Sequence, residues 1–193
     1  MTHYIPRQTP TGWVVAFGHL AEAGDAFIIE YEAKSRTAGG PFIAGAVQPP
    51  RRDIDYFLRA VRAIELAKGD FPFLNHQYNV AALPAAAGDW WVYLLPAQTK
   101  PDVWPLGGDG RYRISADGTT VLEKRLLHKS IIEQRSAEAA AAGYHTHVLS
   151  DTPEDTDVFL VLSRRPAIPE YVGTRDFIYV INIDGSISIE KHN

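Results

Sequence analysis

The alternation of apolar and polar residues predicts that most of this chain is antiparallel sheet. Phe27 to Glu32 alternates with a period of two, which is typical of a half-buried strand. Trp90 to Leu95 is apolar throughout, so it is predicted to be a central strand with both faces covered. Shorter apolar runs predict further strands at Trp13 to Phe17, Tyr78 to Leu83 and Tyr144 to Leu149.

One segment has the period of an amphipathic helix. Between Asp53 and Lys68, apolar residues form one stripe and charged residues occupy much of the other face. The stripe consists of Ile54, Phe57, Leu58, Val61, Ile64 and Leu66. Pro50 before the segment and Gly69 after it are typical helix boundary residues. The pattern therefore predicts one main helix that packs its stripe against the sheet.

Three stretches have weaker patterns. Residues 35–50 are rich in Gly, Ala and Pro and are predicted to be loop, with room for a short strand at 42–47. A capping-box spacing favours a short helix within 130–142, whereas the β-branched residue Ile131 and its neighbour favour a strand. Gly107-Gly108-Asp109-Gly110 lacks the Lys-Ser/Thr of a phosphate-binding loop, so it is predicted to connect two strands.

The chain contains an internal repeat, in which much of residues 89–124 recurs in order at residues 157–191. Each copy has an apolar run, a Pro-containing connection, a second strand, an Asp-Gly turn and a third strand. Asp117-Gly118 and Asp184-Gly185 suit two-residue hairpin turns, in which both central residues have positive φ. We therefore expect a duplicated strand–loop–hairpin unit, with Asp157 opening a strand as Asp89 does.

No linker divides the sequence. We therefore expect residues 1–193 to form a single α+β domain, with a predominantly antiparallel sheet, the duplicated unit and one main amphipathic helix. The hydrophobic fraction of 46% and the charged fraction of 22% are ordinary for a globular protein. The absence of cysteine excludes disulfides, thiol nucleophiles and cysteine-ligated metal sites.

Charge and hydropathy restrict the expected partners. The net charge of −4 argues against nucleic acid, because binding phosphates requires a basic face. No apolar run is long enough to cross a membrane, and the first residues do not have the pattern of a signal peptide. We therefore expect a soluble cytoplasmic protein that binds neither nucleic acid nor membrane.

The chain from Asp89 onwards resembles a group of uncharacterised bacterial proteins. The resemblance is carried by Leu95-Pro96, Gly107-Gly108-Asp109, Asp117-Gly118, Thr146-His147, Pro153 and Val158-Phe159. It implies a bacterial origin, and no known activity is attached to this pattern.

Two histidines and an aspartate have the spacing of a metal site. His145 and His147 would share one face of a strand, and Asp157 follows His147 by ten residues. Two imidazoles and one carboxylate are zinc ligands that leave a position open for an activated water. The same two histidines also suit an exposed strand face without any metal.

The His-x-His pair and the later aspartate resemble the JAMM (MPN-type) zinc hydrolase signature. The resemblance implies that His145, His147 and Asp157 hold zinc and that an upstream glutamate acts as base, with Glu30 or Glu32 as candidates. His128 is a possible additional ligand. The sequence departs from that signature at Val148, where the family has proline. It also departs before the aspartate, where the family has serine and this chain has Glu154 after Pro153. It also departs after Asp157, where a strand-like run replaces the family's helix.

Two functions remain open on this basis. The repeat explains Asp157 without a site, so the sequence favours a non-enzymatic domain that binds a protein or other macromolecule and has no metal or other cofactor. In that case the two imidazoles should be partly exposed, with Asp157 pointing elsewhere. The alternative is a JAMM-like zinc-dependent hydrolase, in which the ligand atoms of His145, His147 and Asp157 converge.

Overall fold

Antiparallel strands dominate the structure, as the alternation predicts. The computed structural model describes residues 2–37, 40–135 and 140–191, and 49% of the structure is strand. The α+β class and the predominance of antiparallel sheet are confirmed. No helix among the described residues is long and apolar enough to cross a membrane.

The strands and α-helices follow one another in this order. They are β1 (His3–Thr9), β2 (Gly12–Leu20), β3 (Phe27–Ser35), β4 (Ile43–Asp53), α1 (Tyr56–Asp70), β5 (Tyr78–Pro84), β6 (Trp90–Pro96), β7 (Val103–Gly107), β8 (Gly110–Ile114), β9 (Val121–Leu126), β10 (Ile131–Arg135), β11 (Gly143–Thr146), α2 (Asp155–Ser163), β12 (Glu170–Gly173), β13 (Phe177–Ile181) and β14 (Ile187–Lys191).

The chain divides into two compact units. The first contains Met1–Pro72, Val80–Leu94 and Arg111–Arg125, and the second contains Phe73–Asn79, Leu95–Gly110 and Leu126–Asn193. This division does not test the prediction of a single domain over residues 1–193, which stays a prediction.

In the first unit, β1 to β4 form an antiparallel sheet in chain order. Strand β4 replaces the second half of the loop predicted for residues 35–50, and it is longer than the short strand predicted at 42–47. Pro49 and Pro50 fit this strand because β4 lies at the edge of the sheet, where a missing N–H breaks no ladder. The glycines and prolines therefore mark an edge strand.

Helix α1 confirms the predicted amphipathic helix. Phe57, Val61 and Ile64 are buried, as the stripe requires. Ile54 is 73% exposed, because it precedes the first turn and does not follow the helical period. The carboxylate of Asp53 accepts hydrogen bonds from the N–H groups at the start of the helix, including that of Phe57 at 2.9 Å. This contact fixes where the helix begins.

Strand β6 is central, as its apolar sequence predicts. It lies between β5 and β8 in a sheet ordered β5-β6-β8-β9, and Trp90, Val92 and Leu94 are buried.

The second unit contains a sheet ordered β11-β12-β13-β14 and the antiparallel pair β7 and β10. Strand β11 is parallel to β12, whereas the other neighbours are antiparallel. Val161 of α2 packs with Val172, Tyr179 and Ile181 in one buried cluster. The start of the segment predicted as a short helix forms strand β10, which is the strand alternative. Residues 136–139 of that prediction lie outside the described residues.

The prediction of a strand after Asp157 is wrong, because this segment is helix α2. Glu154 and Asp157 form a capping box. The Glu154 side chain accepts a hydrogen bond from the Asp157 N–H, and the Asp157 carboxylate accepts one from the Glu154 N–H. Two acidic residues thus provide the helix start that Ser or Thr and Glu usually provide. The capping box starts a helix here even though the β-branched residues Val158 and Val161 favour a strand.

The structure does not confirm the duplicated unit, because β6 in the first copy corresponds to α2 in the second. Both copies end in two strands joined by an Asp-Gly turn. Gly118 and Gly185 have φ of 79° and 83°, whereas Asp117 and Asp184 are not in the positive-φ region. The turns are therefore longer than the predicted two-residue type, which needs positive φ at both residues.

The burial pattern of α1 yields a test of the first unit. Val61→Asp places an unpaired carboxylate at a fully buried position and should lower the free energy of unfolding by more than about 3 kcal/mol. Ile54→Asp, at the exposed position, should change it by less than about 0.5 kcal/mol. Chemical denaturation of both variants measures the difference, and equal effects would contradict this orientation of the helix.

Candidate metal centre

Three histidines and one aspartate meet in the second unit. His128 follows β9, His145 lies on β11, His147 follows that strand directly, and Asp157 lies in the first turn of α2. One ligand atom from each residue lies within 4.8 Å of the other three. His145, His147 and Asp157 are buried, and His128 is partly buried. The cluster therefore combines short distances with restricted access for water.

Strand geometry places the two central imidazoles together. His145 and His147 are two positions apart, so they share one face, while Thr146 between them is exposed. The N–H of His147 donates to the carbonyl of Gly173 at 2.8 Å, which extends the pairing of β11 with β12 past the end of the strand. Both side chains are thus fixed by backbone hydrogen bonds.

The capping box directs the carboxylate of Asp157. Its Oδ2 accepts the N–H of Glu154 at 2.7 Å. Its Oδ1 is buried and has no hydrogen-bond partner among the described residues. A buried carboxylate oxygen needs a positive partner, which either a protonated His145, with its Nε2 at 3.3 Å, or a bound cation would provide.

Five of the distances within the cluster are close to the separations between ligands of a tetrahedral zinc. Nε2 of His147 lies 3.1 Å from Nε2 of His145 and 3.0 Å from Nε2 of His128. Oδ1 of Asp157 lies 3.3 Å from Nε2 of His145 and 3.5 Å from Nε2 of His128, and its Oδ2 lies 3.2 Å from Nε2 of His147. Four ligands at about 2.0–2.1 Å from a tetrahedral zinc are about 3.3–3.4 Å apart. The five distances bracket that value.

The outward-facing nitrogen of each imidazole already has a hydrogen-bond acceptor. The partners of Nδ1 are Asp109 for His128 at 2.6 Å, Glu170 for His145 at 2.9 Å, and the carbonyl of Thr152 for His147 at 3.0 Å. Metal-binding histidines almost always donate their second N–H in this way. With Nδ1 protonated, the lone pair of each Nε2 points into the cluster. One shared proton would bridge only one pair of these atoms, whereas a metal ion contacts all four.

The buried charges change the acidity of the cluster. Burial alone would lower the pKa of His145, but its interactions with Asp157 and Glu170 outweigh burial and raise this pKa to about 9. Burial would raise the pKa of Asp157, yet its interactions with His145 and His147 hold it far below its usual range. Protons and a metal ion therefore compete for the same nitrogen atoms.

A buried network behind His145 fixes that imidazole. Glu170 is 0% exposed, and its Oε2 accepts an N–H of Arg164 at 2.8 Å. Gln134 donates to the other oxygen at 3.2 Å. A Cβ at Gly143 would lie 1.8 Å from Oε2 of Glu170, so this position must be glycine. The sequence analysis missed all four residues, since no local pattern links them to His145.

The glycine loop between β7 and β8 supports His128. Gly107 has φ of 80°, and a Cβ there would lie 2.5 Å from the carbonyl oxygen of Ser130. The close approach brings Asp109 to Nδ1 of His128. The prediction that this loop connects two strands is confirmed, whereas its role in holding His128 was not predicted.

A cavity borders the cluster on the side of His147. Its volume is about 560 Å³. The residues that line it with His147 include Tyr144, Thr146, Ser150, Asp151 and Arg175. A small molecule in this cavity would contact a residue of the cluster directly.

The structure brings together the residues that the zinc interpretation selected. His145, His147 and Asp157 converge, with His128 as the fourth member. The expectation of partly exposed imidazoles with Asp157 pointing elsewhere is wrong.

The two candidate bases lie on β3 in the first unit. Glu32 interacts with Lys34 and Arg51, which lower its pKa despite its burial and make it a weaker base. Glu30 lies 3.7 Å from His19. The assignment of either glutamate as base stays a prediction.

Comparison with protein-family models, with curated proteins and with solved structures finds no match for this chain. The resemblances to the JAMM signature and to the bacterial group stay predictions. A function for the cluster therefore has to be inferred from its geometry and ligand chemistry.

The close approach of Gly143 to Glu170 yields a test of this network. Gly143→Ala should lower the free energy of unfolding by about 1–3 kcal/mol, because the added methyl group meets the carboxylate. Gly45→Ala on β4 is the matched control, since a Cβ there meets nothing within 4 Å. Thermal or chemical denaturation measures both variants, and a neutral Gly143→Ala would contradict the described packing.

Proposed function

We propose that this protein is a zinc-dependent hydrolase whose metal is held by His128, His145, His147 and Asp157. The observation that carries the proposal is the convergence of three Nε2 atoms and one buried carboxylate oxygen, while every Nδ1 atom is occupied by another partner. Nitrogen and carboxylate ligands in tetrahedral geometry fit zinc, whereas calcium and magnesium take oxygen ligands.

The types of ligand favour catalysis over a purely structural zinc. Structural zinc sites are usually rich in cysteine, which this chain lacks, whereas histidine and carboxylate ligands are typical of catalytic sites. Zinc can accept a fifth ligand, and the cavity beside His147 has room for a substrate. Zinc bound there would act as a Lewis acid and activate water for attack on a carbonyl or phosphoryl group.

The chain's own residues would have distinct roles in this centre. Asp157 supplies the one negative ligand, and its interactions with His145 and His147 favour the ionised carboxylate by lowering its pKa despite burial. Glu170 and Asp109 orient the imidazoles of His145 and His128.

The local chain order also supports the JAMM-like interpretation. Helix α2 begins at Asp155, so Asp157 lies in a helix as that family requires, and one of the sequence departures disappears. The preference for a non-enzymatic domain rested on the repeat, and the capping box now gives Asp157 a different role. Binding to a protein or other macromolecule stays a prediction.

Structural zinc is the second candidate function. Four protein ligands with little exposure form a closed site, which is the usual arrangement of a structural ion. Such an ion would stabilise the second unit by tying His128, β11 and α2 together.

One set of preparations tests both candidates. The wild-type protein should retain about one zinc per chain after dialysis. His147→Ala and Asp157→Asn should lose most of it, because each removes a ligand. His19→Ala is the control, since this exposed histidine lies outside the cluster. Elemental analysis measures zinc, and hydrolysis of ester, peptide and phosphoester model substrates is measured on the same samples.

The result expected of a hydrolase is activity toward one substrate class that disappears with a chelator and returns with zinc. Bound zinc with no activity in any class, together with a melting temperature that falls on chelation, would favour the structural ion. Zinc content that is equal in all variants would contradict both.

A further inference from the structure

The outer edge of β4 is open to solvent over a short apolar stretch. β4 is the last strand of the sheet ordered β1-β2-β3-β4, and among the described residues no strand pairs with its far side. Phe42 and Ile43 are 51% and 75% exposed, and Ala44, Gly45 and Ala46 are exposed as well. Alternate residues of an antiparallel strand direct their N–H and C=O groups away from the partner strand. This stretch therefore offers backbone donors and acceptors to another strand.

The stretch lacks the features that normally keep an edge strand from pairing. Native edges are usually protected by lysine, by proline or by a charge. The sequence Phe-Ile-Ala-Gly-Ala-Val, from Phe42 to Val47, contains none of these. Pro41 precedes it, and Pro49 follows after one further residue. Because proline has no N–H to donate to a ladder, the two prolines confine pairing on this edge to residues 42–48.

The order of the residues in this stretch is nearly palindromic about Gly45. The pairs on its two sides are Ala44 with Ala46, Ile43 with Val47, Phe42 with Gln48, and Pro41 with Pro49. If two copies of the strand pair antiparallel about a twofold axis at Gly45, the members of each pair lie opposite each other. Small residues then meet at the axis, β-branched residues meet beyond them, and a proline ends the ladder on each side. A twofold interface requires such self-complementarity.

We propose that two copies of this protein form a dimer by antiparallel pairing of β4 with β4, about a twofold axis at Gly45. The pairing joins two four-stranded sheets into one continuous sheet. Ile43 packs beside Val47 of the partner subunit, and the symmetry repeats this contact on the other side of the axis. Each β4 edge covers the other, so the interface closes as a dimer and does not extend further through β4.

The flanking prolines also select the register. An axis at Ala44 would place Pro41 opposite Val47, and an axis at Ala46 would place Pro49 opposite Ile43. Either shift brings a residue without an N–H into the middle of the ladder, which disfavours it. The axis at Gly45 is therefore the one that pairs residues 42–48 with no proline among them.

Sedimentation velocity of the full chain over a range of concentrations tests the proposal. An edge of this length covers less than the roughly 1,000 Å² of a stable interface, so the dimer should have a Kd of about 10–100 µM. The wild type should therefore change from monomer to dimer between about 5 and 500 µM.

Two double variants at exposed positions test the register. Ala44→Lys combined with Ala46→Lys places like charges opposite each other on both sides of the axis, and it should weaken the dimer about tenfold. Ala44→Lys combined with Ala46→Glu places opposite charges at the same positions and should keep the dimer. Leu122→Lys is the control, since it changes an exposed apolar residue on β9, at the edge of another sheet, and should leave the Kd unchanged.

Three results would overturn the proposal. The first is a wild type that remains monomeric at about 500 µM. The second is a dimer to which the two double variants make the same difference, because this pairing places position 44 opposite position 46. The third is a dimer that Leu122→Lys dissociates, which would locate the interface elsewhere. Circular dichroism of each variant checks that its fold is unchanged, and the wild-type measurement stands without the variants.

Discussion

The structure of the second unit depends on one electrostatic requirement. Three imidazole nitrogens and the buried carboxylate of Asp157 lie close together, with five of the distances between them at 3.0–3.5 Å, and the Nδ1 atom of each imidazole is bound to another partner. Without a cation these lone pairs repel one another or must share protons in a space that burial makes costly. Asp109 and Glu170 orient the ring nitrogens, and the capping box aims Asp157. The proposed zinc ion would contact all four residues at once.

This requirement links local structure to stability. The four residues come from the segment after β9, from β11 and just beyond it, and from the first turn of α2, so a bound ion would connect three separate segments of the chain. A ligand that binds only the folded chain stabilises it in proportion to its affinity and concentration. Gly107 and Gly143 are required for steric reasons, since a side chain at either position would displace a residue that supports the cluster.

Sequence patterns predicted the features that depend on neighbours in the chain. The helical period located α1, the continuous apolar run located β6, and the period of two placed His145 and His147 on one face. The repeat misled the interpretation of Asp157, because an apolar run that resembles a strand follows it and its helix start uses two carboxylates in place of the usual hydroxyl. The partners of the histidines could not be predicted, since Asp109 and Glu170 approach them only through tertiary packing.

X-ray absorption at the zinc edge tests the central claim most directly, on protein loaded with one equivalent of zinc. Convergence of the four residues predicts a first shell of three imidazole nitrogens and one carboxylate oxygen, at about 2.0–2.1 Å, with at most one further oxygen from solvent. The multiple-scattering signature of imidazole should correspond to three rings and should decrease in His147→Ala. A first shell made only of oxygen atoms, or a spectrum that is identical in this variant, would contradict the claim that these residues form a metal centre.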